Sequence, residues 1–403
     1  MKKWLVMIFV FVLGTFLAQT EAAPRKKTTA AKPAAASKQT KSSKPAPPPA
    51  EPYKAFIVVE AVSGKVLEEE NAHVKRAPAS VVKLMVAYLV LDKVARGELK
   101  LTDTITATRD SSKIGGSQVY LKEGETFTLE EMMKAVMVAS ANDAAYAVAE
   151  HVAGTKEAFI QLMNEKAKAL KMADTEFHSV HGLPPAPGTP EDQSSCADLA
   201  VLARELLKYP KILEWTSIPE APFRGGAFIM RNHNKLLFHL PGTDGLKTGY
   251  YSETGFNVVA TAVKNKMRFI VVVMGSPSAK IRDQVAMEKF KKAFAQYKVV
   301  DLVKKGEVID KEIVLPDGKT GKIKGVAGAD FSYPVPVNQK GAVTKEPVLP
   351  GKVSGEVKLG QKLGELVFKF DNQMIGKVDI VSPAAVPQAN FMVRLLRKVG
   401  INL

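Results

Sequence analysis

Only one cysteine, Cys196, occurs in the 403 residues, so an intramolecular disulfide is excluded and the fold must rest on its cores. A membrane-spanning run is lacking too. The apolar stretch Trp4 to Leu17 is shorter than the roughly 20 residues a spanning helix needs. It follows Lys2 and Lys3 and precedes the small residues around Thr20-Glu21-Ala22, which together read as a secretory signal over residues 1–22, cleaved after Ala22; an uncleaved anchor is the alternative. Acids are missing from Pro24 to Ala50, where Ala, Pro, Lys, Ser and Thr dominate, so residues 23–52 read as a disordered basic linker unable to build a core. The six histidines show no metal-ligand spacing, and neither a metal nor a cofactor is expected. An internal repeat is also lacking.

What is present is an ordinary globular composition, 46% apolar and 24% charged, with a formal net charge of +16. Residues 1–50 carry nine Lys or Arg and one acid, and so hold half of that excess. Such a tether suits anionic lipid headgroups or acidic wall polymers; export makes nucleic acid an unlikely partner.

The remaining length is too great for one ordinary core and divides into a large and a small domain. Ala55 to Ala61 and Lys65 to Glu70, around a Ser63-Gly64 turn, predict a hairpin. From Ser80, at an N-cap position, Val81, Leu84, Met85, Tyr88, Leu89 and Leu91 form a helical stripe that Gly97 stops. Further helices are predicted at Leu129 to Ala139, Asp143 to Val152, Lys156 to Leu170 and Cys196 to Leu207. Leu246 to Tyr250, Gly255 to Val263 and Met267 to Gly275 read as an antiparallel meander, closed by a helix from Arg282 to Tyr297. Strands at both ends and helices between them predict an α+β domain over 53–298, with helices packed on an antiparallel sheet. Residues 299–384 read as a small all-β domain, with strands at Glu312 to Leu315, Val353 to Leu359 and Glu365 to Phe370. Over residues 385–403, Phe391, Met392, Leu395, Leu396 and Val399 share one helical face and Arg394, Arg397 and Lys398 the other. This amphipathic helix could lie in a membrane interface or dock on its own β domain.

Three short motifs carry the chemistry. Ser80-Val81-Val82-Lys83 puts a hydroxyl and an amine one helical turn apart. A serine becomes a nucleophile when a neighbouring base takes its proton, and a lysine can be that base once neutral. Bringing its pKa from about 10.4 to about 7.5 requires roughly 4 kcal/mol, which burial and a second cation can supply. Alone the spacing is common, a capping serine followed by a surface lysine. Ser140-Ala141-Asn142 and Lys247-Thr248-Gly249 follow in order, the last opening the first strand of the meander.

In this order the motifs resemble those of the penicillin-recognising serine enzymes. Ala77-Pro78-Ala79-Ser80, Ser140 to Ala145, His181-Gly182-Leu183 and Ser194 to Ala200 resemble, more narrowly, the low-molecular-weight D-alanyl-D-alanine carboxypeptidases, over Tyr53 to Leu403. The resemblance implies a β-lactamase/transpeptidase-like catalytic domain in the periplasm, on the outer face of the inner membrane. Its substrate would be a peptidoglycan stem peptide, with β-lactam antibiotics as covalent inhibitors and anionic membrane lipids in peripheral contact. Ser80 would form the acyl-enzyme, Lys83 act as general base and Ser140 relay a proton to the leaving D-Ala. Asn142 would hold the peptide amide, Lys247, Thr248 and Arg282 the terminal carboxylate, and the backbone N–H groups of Ser80 and Tyr250, beside Gly249, the oxyanion. Ala141 in place of Gly, and Val81-Val82 in place of a more polar pair, depart from the family pattern. Endopeptidase action, a β-lactamase and a vestigial wall-binding protein are the alternatives. The β-lactamase would need a water-activating Glu, for which Glu191-Asp192 is a poor match. His181 is expected to shape a loop near the site.

Overall fold

The computed structural model describes residues 51–338 and 343–398. The expected signal, nearly all of the basic linker, and Val399 of the terminal apolar face lie outside the described residues.

Five strands form the central antiparallel sheet: β1 (Ala55–Glu60), β2 (Val66–Glu70), β3 (Thr243–Tyr251), β4 (Gly255–Lys264) and β5 (Met267–Ser276), in the order β2-β1-β5-β4-β3. The period-2 geometry of a strand divides its side chains between two cores. Ile57 and Val59 of β1, with Ile270, Val272 and Met274 of β5, face the larger core; Phe56 and Val58, with Phe269, Val271 and Val273, face the smaller. Buried on both faces, these strands read as continuous apolar runs.

The helices α1 (Lys83–Ala95), α2 (Leu129–Val138), α3 (Asn142–Ala153), α4 (Lys156–Ala169), α5 (Cys196–Leu206) and α6 (Lys211–Thr216) contribute to the larger core, and α7 (Ala279–Gln296) covers the other face. Their starts follow from capping chemistry: Thr128 and Glu131 close a capping box on α2, while Thr155, Ser195 and Ser278 cap α4, α5 and α7. The predicted elements thus recur within a few residues of their expected ends, the closing helix starting three residues early because Ser278 caps it.

Ser80 is different. It is not an N-cap: a 3-10 turn spans Ala79–Val82 ahead of α1, with Pro78 before it and no side-chain cap. The Ser80 hydroxyl is turned instead toward Lys83 and the His181 carbonyl.

After α7 the chain runs into β6 (Tyr297–Val303), which pairs with β9 (Phe331–Pro336). A second antiparallel sheet contains β7 (Val308–Val314), β8 (Lys322–Ala327), β10 (Val343–Val348), β11 (Lys362–Phe370) and β12 (Gln373–Val381), in the order β7-β8-β12-β11-β10. Val353 to Leu359, read as a strand, forms only one isolated bridge, at Val357; Pro350, Gly351, Gly355 and Gly360 in and around it keep it out of the ladder. α8 (Phe391–Lys398) presents Phe391, Met392 and Leu395 to solvent, while Arg397 donates to the carbonyls of Gly318 and Lys319 on the β domain. Among the described residues no helix is long and apolar enough to cross a membrane.

Candidate active site

The three motifs, far apart in sequence, meet at one cleft. Ser80 reaches it from the turn ahead of α1, Ser140 from the turn between α2 and α3, and Thr248 to Tyr250 from the edge strand β3, while Asn142, the first residue of α3, and Lys247 are buried and do not line it. Ser140 holds a φ of +57°, a conformation a non-glycine residue adopts at a cost of order 1–3 kcal/mol. Gly249 is required by proximity. A Cβ there would sit 2.5 Å from the Pro78 carbonyl oxygen and 3.1 Å from the Ser80 nitrogen, so only glycine lets β3 lie against the turn that carries Ser80.

Lys83 is fully buried beneath the cleft. Its Nζ lies 3.0 Å from Ser80 Oγ, 2.7 Å from Asn142 Oδ1 and 2.6 Å from the His181 carbonyl oxygen. Two of these neighbours accept N–H bonds; the third is a hydroxyl. A neutral amine can therefore donate to Asn142 and His181 and keep its lone pair for the Ser80 proton. Burial, and then the charge of Lys247, hold Lys83 well below the ordinary lysine value, while Asp192 and Asp143 act in the opposite sense. Lys247 is itself buried, donates to the Thr248 carbonyl at 2.9 Å, and is lowered to about 7 by burial and by Arg282.

The cleft, about 380 Å³, is lined by Ser80, Ser140, Thr248, Gly249, Tyr250 and Arg282, all anticipated, together with Ser117, His233, Lys235, Phe256 and Ala279, which were not. Arg282, expected to help hold the terminal carboxylate, is 3% exposed and paired with Asp283 at 2.7 Å. Tyr250 stacks on Phe256 at the cleft wall, ring centroids 4.0 Å apart. His233 opens to the cleft, its imidazole lowered to about 4 by desolvation and by the charges of Lys247 and Lys235. Asn142 is engaged on both sides: Oδ1 accepts from Lys83, and Nδ2 donates to the Gly115 carbonyl at 2.8 Å.

The Glu191-Asp192 pair, considered from sequence as a water activator, is committed elsewhere. Glu191 accepts a hydrogen bond from the Tyr251 hydroxyl, and Asp192 accepts from the His178 and Ser179 backbone N–H groups and the Ser179 hydroxyl. Neither lines the cleft.

Residues 40–278 match the D-alanyl-D-alanine carboxypeptidase family and residues 297–388 match the penicillin-binding protein 5 C-terminal domain. The chain belongs to the D-alanyl-D-alanine carboxypeptidase family. It is a serine-type carboxypeptidase of a cell-wall family that acts outside the cytoplasm. It is 34% identical to the D-alanyl-D-alanine carboxypeptidase DacF of Bacillus subtilis over 86% of this chain and 89% of the relative. Among solved structures, it resembles a peptidoglycan synthesis regulatory factor (PBP3) of Streptococcus pneumoniae, with a TM-score of 0.75 and 25% identity over 83% of this chain and 99% of that one. It also resembles penicillin-binding protein D2 of Listeria monocytogenes in its ampicillin-bound form, with a TM-score of 0.55 and 31% identity over 60% of this chain and 97% of that one.

The carboxypeptidase site holds one element no sequence motif announces, the His181 carbonyl oxygen. His181-Gly182-Leu183 was visible as a family-like segment and His181 as a loop former, but a backbone acceptor leaves no signature in residue type. The signal was the glycine: Gly182, at φ +75°, packs so closely on the Ala79 carbonyl and the Ser80 nitrogen that a Cβ would overlap them.

Proposed function

We propose that this carboxypeptidase removes the terminal D-alanine from peptidoglycan pentapeptide stems through an acyl-enzyme on Ser80. The observation that carries the reading is the contact between the buried Lys83 amine and the Ser80 hydroxyl. Neutral Lys83 takes the hydroxyl proton as Ser80 Oγ attacks the carbonyl carbon of the penultimate D-Ala. The Ser80 and Tyr250 backbone N–H groups stabilise the oxyanion, and the proton passes from Lys83 through Ser140 to the leaving nitrogen as the C–N bond breaks. Free D-Ala departs. Water, deprotonated by Lys83, then attacks the ester and returns Ser80 Oγ to its protonated form. Lys247, Thr248 and Arg282 bind the terminal carboxylate. Asn142 accepts from Lys83 through Oδ1, and its Nδ2 would donate to the carbonyl of the substrate amide.

A β-lactam opened by Ser80 leaves a penicilloyl ester. The ring nitrogen it expels stays tethered to the ester and fills the leaving-group side from which the Lys83-activated water would attack, and Glu191 and Asp192, engaged elsewhere, offer no second activator, which makes the drug an inhibitor rather than a substrate.

The same reading assigns residues 1–22 to export, 23–52 to a tether, 53–298 to catalysis, 299–384 to a β spacer and 385–403 to a membrane-associating helix. The solvent-facing Phe391, Met392 and Leu395 on α8 suit the headgroup boundary of an anionic bilayer on the periplasmic side of the inner membrane, and the basic residues reinforce it.

The test is release of free D-Ala from a pentapeptide by the protein and by Ser80→Ala. Release by the parent alone supports the reading. Release by both, or by neither, contradicts it.

A further inference from the structure

We infer that Asp192 is a positioning residue for the catalytic base, acting through the turn His178 to Gly182; this rests on the reading of Ser80 and Lys83 given above. Asp192 is 6% exposed, and its carboxylate is saturated by one short segment. Oδ1 accepts the N–H of His178 at 2.6 Å and of Ser179 at 2.9 Å, and Oδ2 accepts the Ser179 hydroxyl at 2.6 Å. Ser179 Oγ in turn accepts the Gly182 N–H at 2.8 Å. One carboxylate thereby fixes both ends of the turn.

The turn delivers two things to the reaction centre. Its His181 carbonyl is the shortest acceptor contact of Lys83, at 2.6 Å, and also lies 3.3 Å from Ser80 Oγ. Its Gly182 packs on the backbone of Ala79 and Ser80. Displacing the turn therefore moves both the acceptor that aims the base and the surface that supports the nucleophile.

Val180, 1% exposed in the larger core, pins the middle of the turn by packing, and its two ends are held by the hydrogen bonds. A cavity of about 510 Å³ separates the loop from α4, with Lys156 and Ile160 on one side and Val180, Leu183 and Asp192 on the other. On that side the ends of the turn rely on the Asp192 and Ser179 hydrogen bonds. The neighbouring Glu191 ties the same loop to Tyr251, the last residue of β3, so the pair braces the nucleophile turn against the strand that carries Lys247. Burying a carboxylate is costly unless it is fully hydrogen-bonded, and three donors meet that condition.

The experiment compares full-length parent, Asp192→Ala, Asp192→Asn and Ser179→Ala for the rate of acylation by a fluorescent penicillin, for kcat and KM on a pentapeptide, and for thermal unfolding. A misplaced base lowers the acylation rate of Asp192→Ala by between about tenfold and about a hundredfold with KM within about twofold. Asp192→Asn keeps an oxygen for the two backbone N–H groups and recovers to within about threefold of the parent. Ser179→Ala, which loses only the link to Gly182, falls by about threefold to tenfold. A folded Asp192→Ala or Ser179→Ala that acylates within twofold of the parent would overturn the inference, as would a loss carried by KM alone. If Asp192→Ala does not fold, Ser179→Ala decides in the same way, and an Asp192→Asn that falls more than tenfold while folded overturns the inference as well. A parent that takes no label overturns the reading of the site, and the brace with it.

Discussion

Lys247 and Lys83 are both buried beneath one cleft, and the charge of Lys247 lowers the proton affinity of Lys83 as that of Arg282 lowers the proton affinity of Lys247. Two cations in series thus act on one buried amine. Burial is the larger cause at both lysines, so the arrangement works only because water is kept out.

The pH dependence of kcat/KM follows. Lys83 must be neutral, so the rate rises through its pKa; Lys247 must be charged to hold a carboxylate, so the rate falls as pH climbs past about 7. The two limbs belong to the coupled pair. Arg282→Gln removes the positive charge that depresses Lys247, raises its pKa and moves the descending limb to higher pH. A pH profile of D-Ala release by parent and variant checks this; an unmoved limb contradicts it.

Stability carries the opposite mark. The Lys247 pKa is lower in the folded chain, about 7, than in the unfolded one, about 10.4. Below pH 7 both states hold the proton, and the full cost of burying the charge is present. Between about 7 and 10.4 the unfolded chain binds more protons, so the parent gains stability as pH rises. Lys247→Met is therefore expected to unfold at a higher temperature than the parent at pH 6, with the gap narrowing by pH 9, and to be inactive. Thermal melts at the two pH values measure it.

Close packing around the nucleophile predicts that single methyl groups are not tolerated. In Gly249→Ala the new Cβ must displace the Pro78 carbonyl or the strand β3, and in Gly182→Ala it meets the Ala79 carbonyl at a positive φ. A shift of about 1 Å can cost about a hundredfold. Both variants should lose at least that much acylation rate, read as the initial rate of penicillin labelling.

The exposed face of α8 gives a fourth expectation. Phe391, Met392 and Leu395 are 68%, 61% and 46% exposed, and replacing all three by Ser removes the apolar contact available to a bilayer. Sedimentation with vesicles containing anionic lipid should fall severalfold, with D-Ala release unchanged. Equal sedimentation of variant and parent would assign the contact to other residues.

Much of this was legible in the sequence, for physical reasons. Strands buried on both faces showed as the runs around Val258 and Val271, and capped helices showed their Ser or Thr starts. The three motifs pointed to candidate reacting groups because the proposed chemistry needs a particular side chain at each. The turn at Ser80 was misread as a cap because a serine that caps and one that meets a lysine look alike in sequence. The strand expected at Val353 to Leu359 failed because apolar content alone does not supply a partner strand. His233, Lys235 and Ser117 reach the cleft from loops whose course no periodicity fixes, and the His181 carbonyl belongs to a backbone every residue shares.

The measurement that bears most directly on the central claim is the intact mass of the full-length protein during exposure to benzylpenicillin, followed by mapping of the modified peptide. A single added penicilloyl mass on Ser80, persisting for minutes or longer and absent from Ser80→Ala and Lys83→Ala, is the predicted result. An adduct on another residue, or no adduct in the parent, would contradict the account.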